Sequence, residues 1–231
     1  MTVVLGFDTA TDDTAVCAAR GDEVLYESLL GLSEKGGPLH ATALLEEAER
    51  AVAAAGGWEA VDSIAVGLGP GSFTGLRVGI ATARGLGLSR GLPVSGACTL
   101  DALGRALGKG LAVLDARRGE VFAALYAAGG ERLWGPLVCS PEELLGRVGE
   151  LPEPLPTAGS GAVRFRHELA SRGVEVPDDA DPVHRIAARH VCALAATGAG
   201  GEGAGAVAPI YLRPPDAERW RERDTSQAAA D

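Results

Sequence analysis

Aromatic residues are scarce in this chain: they make up 4% of 231 residues, with a single methionine. The core must therefore be aliphatic and alanine-rich, and 46% hydrophobic content marks a globular chain rather than a disordered one. Cysteines number four, Cys17, Cys98, Cys139 and Cys192, and none forms a CxxC pair. Zinc ribbons and dense disulfide frameworks are thereby excluded, and the pattern suits a reducing cytosol. No apolar run approaches the roughly 20 residues that cross a bilayer. The opening meets Asp8 with no basic segment before it, so no secretory leader is expected there. The expectation is a soluble, cytoplasmic protein with no membrane partner. Positive charge is also short: 21 Lys and Arg against 31 Asp and Glu leave a net charge of −10. A broad nucleic-acid surface needs clustered cations, so at most a local basic patch is expected.

Catalytic signatures are missing as well. HExxH does not occur in the sequence, and its one GxSxG match, Gly87-Leu88-Ser89-Arg90-Gly91, falls at the end of the expected helix from Ser72 to about 89 and is no strand-to-helix elbow. His40 has Leu44, not a ligand, one helical turn on; His184 and His190 are six residues apart, which is not one helical face; His167 lies beside Arg164 and Arg166 in a segment expected to be exposed. Ser72 has no His or Lys nearby and reads as a helix cap.

What is present is an alternation of strands and helices. Val3-Val4-Leu5-Gly6-Phe7 reads as a buried strand that ends at Asp8, with further strands over 14–19 and 23–29. A helix is expected from 38 or 39 to 55, its apolar face made by Leu44, Leu45, Ala48, Val52 and Ala55, with Glu46, Glu47, Glu49 and Arg50 turned elsewhere. A strand over 63–68, a helix from Ser72 to about 89, a strand over 92–95 and a helix over 99–107 come next. The opening then recurs: strands over 111–114, 121–126 and 131–137, with Asp115 where Asp8 stood. This reads as a degenerate duplication of one α/β unit, each copy with three antiparallel strands leading into helices. After a proline-rich connection over 151–156, 157–161 reads as a strand-to-helix loop and 181–196 as a helix. A glycine-rich connector over 198–205, a last ordered piece over 209–213 and a frayed polar tail from 216 complete the chain.

Three features carry chemistry, and each has two readings. The loop Gly69-Pro70-Gly71 with Gly75 lacks the Lys of a P-loop and the spacing of GxGxxG, so a tight strand-to-helix turn is favoured over a phosphate site. Gly75, Gly79, Ala83 and Gly87 make a stripe almost free of side chains, fit for close backbone approach within the monomer or by a partner helix. Asp8 and Asp115 either cap strand ends or hold an ion between the two halves.

Gly69-Pro-Gly-Ser-Phe-Thr-Gly-Leu-Arg77, Asp8-Thr-Ala-Thr11, Asp115-Ala-Arg-Arg-Gly-Glu-Val-Phe122, Pro209-Ile-Tyr-Leu-Arg213 and His40 at its helix start occur in the order and spacing of a known family. In these segments the chain resembles the TsaB (YeaZ-like) family, over nearly its whole length to about Arg213. The resemblance implies an actin-like (ASKHA) ATPase fold of two RNase H-like subdomains, here 1–106 and 107–213, with 214–231 a disordered tail. It implies a non-catalytic dimerization subunit for N6-threonylcarbamoyladenosine synthesis at position 37 of tRNAs. Its partner would be the catalytic paralogue TsaD, with a TsaE-type ATPase and tRNA reached through the complex, and a homodimer left open when the chain is alone. TsaD carries a His-x-x-x-His metal motif whose places fall here on Thr99 and Leu103, so no metal site is implied.

The implied partner surface takes His40, Leu44, Leu45, Ala48 and Val52 from the first helix. From the second it takes Phe73, Gly75, Leu76, Gly79, Ile80, Ala83 and Gly87. A weak nucleotide or ion cleft would fall at Asp8, Thr9, Asp115, Gly159 and Gly161, with no resident cofactor and a nucleotide left open only at the partner interface. The competing reading is a stand-alone enzyme, a glycoprotease-type peptidase or an actin-like-fold ATPase.

Overall fold

A computed structural model describes residues 1–149, 155–170, 174–197 and 207–213. The first lobe opens with the meander β1 (Val3–Asp8), β2 (Thr14–Arg20) and β3 (Glu23–Leu30), followed by helix α1 (His40–Ala55). Then come β4 (Ser63–Gly67), α2 (Phe73–Arg90), β5 (Val94–Ala97) and α3 (Thr99–Leu107). Its sheet runs β3-β2-β1-β4-β5, with β1 antiparallel to β2 and parallel to β4. The second lobe repeats the plan with β6 (Gly110–Asp115), β7 (Val121–Tyr126), β8 (Arg132–Cys139), α4 (Pro141–Val148) and β9 (Thr157–Ala158). Its sheet runs β8-β7-β6-β9, with β6 and β9 parallel. Third, second, first, fourth is the strand order of both halves, so the repeated strand–Asp–turn pattern does build two like α/β units. Short helices α5 (Ser160–Arg164) and α6 (Arg166–Ala170) and the last helix α7 (Ala188–Ala196) complete the described elements.

The local chemistry explains the element ends. Helix α1 stops at Gly56 and α2 at Gly91, both left-handed at φ 104° and 66°. Ser72 caps α2 by accepting from the Gly75 N–H at 3.3 Å. Ser140 and Glu143 form a reciprocal capping box that starts α4. One expectation fails: 181–196 is not one helix. Asp181 caps a short 3-10 turn at Pro182–His184, Arg185 is extended (φ −109°, ψ 149°), and α7 begins only at Ala188. The break serves tertiary contacts. Arg185 forks onto Asp13 at 2.6 and 2.8 Å, and Ile186 is buried in the core, which continuous helix would not allow together.

Three apolar clusters stack through the molecule. One lies between the first sheet and α1 with α2, including Phe7, Leu44, Val52, Ile64 and Ile80. The central one joins the two lobes through α3 and α7, with Val4, Leu100, Leu103, Leu114, Tyr126 and Val191. The third closes the outer side of the second sheet around Leu111, Val113, Leu144 and Leu169. After α6 the chain thus returns to the first lobe. Helix α7 lies on β1 and β2, and Val207 is buried in the α1–α2 cluster. The expected connector over 198–205 and the polar tail from 216 lie outside the described residues. Among the described residues no helix is long and apolar enough to cross a membrane.

Candidate functional site

The end of β1 is sealed rather than open. Asp8 is buried, and its carboxylate accepts from the Ala10 N–H and from the Thr99 hydroxyl, each at 2.7 Å. Thr99 in turn accepts from the Gly69 N–H at 3.1 Å. Burial pushes the Asp8 carboxyl above its ordinary range, opposed by the Ala10 and Thr99 hydrogen bonds. A Cβ at Gly67 would overlap that carboxylate, so glycine is required there. Thr9 is also fully buried and donates its hydroxyl to the Gly75 carbonyl at 2.8 Å. The expectation that Asp8 and Thr9 face a ligand cleft is corrected: both fasten α2 to the end of β1.

The small-residue stripe belongs to the same packing. A Cβ at Gly75 would strike the Thr9 carbonyl, at Gly79 the Thr9 hydroxyl, and at Gly87 the Val94 side chain. Ala83 is fully buried against the first sheet's cluster. The stripe therefore admits the protein's own β1–β2 turn and β5, not a partner helix. Leu44, Ala48, Val52, Leu76 and Ile80 are buried in the monomer as well. So is His40, whose Nδ1 meets the Thr14 hydroxyl at 2.8 Å and whose Nε2 meets the Thr11 carbonyl at 3.1 Å. A carbonyl only accepts, so Nε2 carries the proton, and burial lowers the His40 pKa. Glu47, expected to face outward, is buried too, taking the Tyr26 hydroxyl at 2.5 Å and Arg50 at 2.6 Å. Among the small and apolar residues that α1 and α2 expose are Leu45 (58%), Leu88 (84%), Ala81 and Gly85, and a Cβ at Gly85 would meet open space.

Between the lobes lies a cleft of about 940 Å³, lined by the β1–β2 turn, the start of α2, the β6–β7 turn, Ser160, Arg185 and 210–213. Asp115, at the end of β6, accepts from the Arg117 N–H at 2.8 Å and pairs with Arg164 at 2.7 Å. Arg117 and Arg118 are left-handed, at φ 62° and 55°. Arg117 reaches across to Asp12 in the facing turn at 2.8 and 2.9 Å, and Arg185 holds Asp13. A phosphate placed between those turns would meet three aspartates whose arginine partners are already engaged. Gly159 and Gly161 do not face the cleft either. A Cβ on the first would strike the Val113 carbonyl and on the second the Leu114 backbone, so both seat α5 against β6. Gly159 also donates its N–H to His184 Nδ1 at 3.1 Å. Thr99 and Leu103 are fully buried in the central cluster, and among the described residues no three His, Cys, Asp or Glu gather as a metal site.

The structure adds residues that spacing alone did not reveal. Phe73, expected on the partner face, is exposed at the cleft rim: its ring is 5.3 Å from that of Tyr211, and the Arg77 guanidinium lies 3.7 Å over it. The adjacent pairs Asp12-Asp13 and Arg117-Arg118, four and two residues past the matching aspartates, were the available signal for the ion pairs across the cleft.

A family model described as TsaD, tRNA N6-adenosine threonylcarbamoyltransferase, matches residues 34–169. An uncharacterized protein of Mycobacterium tuberculosis is 35% identical over 222 residues, 94% of this chain and 95% of that protein. The TsaB protein of Escherichia coli K12, named for tRNA threonylcarbamoyladenosine biosynthesis, is 36% identical over 111 residues, 44% of this chain and 48% of that protein. The solved structure of YeaZ from Pseudomonas aeruginosa superposes with a TM-score of 0.74 at 28% identity, covering 92% of this chain and all of that one. The family model covers more than half of the chain, which therefore belongs to the family described as TsaD, tRNA N6-adenosine threonylcarbamoyltransferase, and is similar within it to TsaB (YeaZ-like) proteins.

Proposed function

We propose that this chain serves tRNA threonylcarbamoyladenosine synthesis as a non-catalytic subunit that docks on a catalytic TsaD-type paralogue. The observation that carries the reading is the fate of Thr99 and Leu103. Both are fully buried, and the Thr99 hydroxyl is bound between Asp8 and the Gly69 N–H. Neither offers the imidazole nitrogen that a catalytic metal would need there. The sealed Asp8 and the ion-paired Asp115 speak against independent nucleotide hydrolysis for the same reason: their oxygens are already in use.

The partner surface of this reading is narrower than the sequence pattern suggests. It uses the outward residues of α1 and α2, Leu45, Ala81, Gly85 and Leu88. Glycine in an exposed helix interior costs roughly 1 kcal/mol against alanine, and Gly85 has no neighbour within the monomer that requires it. Close approach by another helix supplies the reason. A TsaE-type ATPase and tRNA would then join through the complex, and a homodimer through the same face is the competing assembly. The test is reconstitution of tRNA modification from this chain and TsaD, separately and together, with mixing monitored by light scattering. The reading expects activity only from the mixture and a heterodimer in it. Modification by this chain alone would overturn it.

A further inference from the structure

The subunit reading leaves the mouth of the inter-lobe cleft without a role. In a chain of net charge −10, that cleft is lined by five arginines against three aspartates; Arg117, Arg185 and Arg213 are held in ion pairs, and Arg77 stands at the mouth over the Phe73 ring. At its rim Phe73 and Tyr211 are 39% and 42% exposed. Only 4% of the chain is aromatic, yet two of these rings stand open to solvent beside arginines.

The rim is held firmly. The Ile210 N–H donates to the Leu68 carbonyl at 2.7 Å, which fixes the backbone just before Tyr211 to the first lobe. Just after it, Arg213 reaches the Ala116 carbonyl at 3.2 Å and Glu120, both in the second lobe. Upstream, Arg84 holds the Val207 carbonyl at 2.5 Å. The Tyr211 ring is thus carried on a strap anchored at three points, and Arg77 lies against the neighbouring Phe73.

An open aromatic face on a fixed backbone, with guanidinium groups beside it, matches an unpaired nucleotide. Bases stack on aromatic or arginine planes when they are not hidden in a duplex, and arginines take the phosphates. An apolar helix would meet arginines and aspartates in this cleft. We propose that the cleft mouth binds a single-stranded RNA segment, with a base stacked on Tyr211 and a phosphodiester at Arg77. The stacking chemistry is shared with a free mononucleotide; choosing RNA as its source rests on the tRNA-modification reading above.

The test uses the full chain, titrated into a labelled stem-loop RNA with an unpaired loop, into a continuous duplex of the same stem, and into ATP. The loop RNA is expected to bind more tightly than the duplex, and to weaken as salt is raised. Tyr211→Ala and Arg77→Ala should each weaken loop binding roughly ten- to a hundredfold, the scale of one lost base stack, while Tyr211→Phe retains it. Arg77 is exposed, so its variant carries the test even if Tyr211→Ala fails to fold. Equal binding of loop and duplex, or loop binding that neither variant weakens, would overturn the inference. So would Tyr211-dependent binding of ATP that RNA does not displace, which makes the site one for a mononucleotide. Loss of TsaD binding in Tyr211→Ala with RNA binding intact would make the rim a protein contact and overturn it as well. TsaD binding by a Leu45→Glu variant, measured in parallel, reports on the subunit reading separately, because Leu45 is not part of the cleft lining.

Discussion

Asp8 and Asp115 end the first strands of two lobes with the same strand order, and they live in opposite surroundings. Asp8 is sealed under Gly67, Gly69 and Thr99, and only hydrogen-bond donors reach it. Asp115 sits at the cleft wall with a backbone N–H on one oxygen and the half-exposed Arg164 on the other. The difference comes from the helix that covers each strand end. In the first lobe an 18-residue helix with a glycine stripe lies flat on the turn after β1, whereas the corresponding α5 has five residues. One topology thus yields a structural carboxylate in one lobe and an accessible one in the other. Position in a repeated unit tells where an acid lies along the fold, and the depth of packing tells what it can do.

The sharpest break of that comparison is to lift the helix off the turn. Gly75→Leu or Gly79→Leu should destabilise the protein by about 3 kcal/mol or more, because backbone and side-chain atoms of Thr9 occupy the space. Urea unfolding measures this; a change below about 1 kcal/mol would mean that the stripe is free after all. Next in size is the pair of aspartates. Asp8→Ala strands the Ala10 N–H and the Thr99 hydroxyl in the core and should cost about 3 kcal/mol. Asp115→Ala removes a partly exposed pair and should cost about 1 kcal/mol or less. Equal losses in matched melts would erase the distinction between the lobes.

The pH dependence sharpens the same contrast. Burial, with Arg189 and Arg105 nearby, pushes His190 down to about 4, and burial lowers His40. Below the ordinary histidine pKa of about 6.5 the unfolded chain takes up protons that these native histidines refuse. Their contribution is therefore complete above that value and is lost as pH falls through the native pKa, so the melting temperature should drop between about pH 6.5 and 4. Asp8 has the opposite sign. Its raised pKa means that acid relieves the cost of a buried charge. His190→Gln should flatten the acid-side fall, and Asp8→Asn should steepen it; an unchanged profile in His190→Gln would refute its part. The smallest effect expected is a gain. Gly85→Ala meets open space in a helix and should stabilise the free chain by about 0.5–1 kcal/mol. Isothermal titration should show weaker TsaD binding if Gly85 lies under a partner helix.

Much of the fold is legible in the sequence because its signals are local. Alternating apolar runs, Gly56 and Gly91 at helix ends, Ser72 at a helix start and the repeat of Asp8 at Asp115 place most elements within about two residues. The 181–196 segment departs from its pattern because helical composition gives no hint that Arg185 is drawn to Asp13, 172 residues away in sequence. The candidate site is legible only in part. Periodicity groups Gly75, Gly79, Ala83 and Gly87 correctly on one face and cannot say that the face meets Thr9 and Val94. Phe73 and Tyr211 each lie inside a recognised motif, but nothing in their spacing, 138 residues apart by number, announces that their rings meet.

Most of the strand and helix order as far as β8, the repeat of the strand pattern and the residues that share each helical face follow from the sequence alone. Those depend on backbone geometry and residue chemistry within a turn or a strand. Only the tertiary structure decided which face meets which neighbour. It sealed Asp8 through a hydroxyl 91 residues away, turned the glycine stripe inward, and brought Arg77, Phe73 and Tyr211 to one cleft mouth. A carboxylate's solvation and a ring's exposure are set by atoms brought from distant parts of the chain, and sequence neighbours carry no record of them.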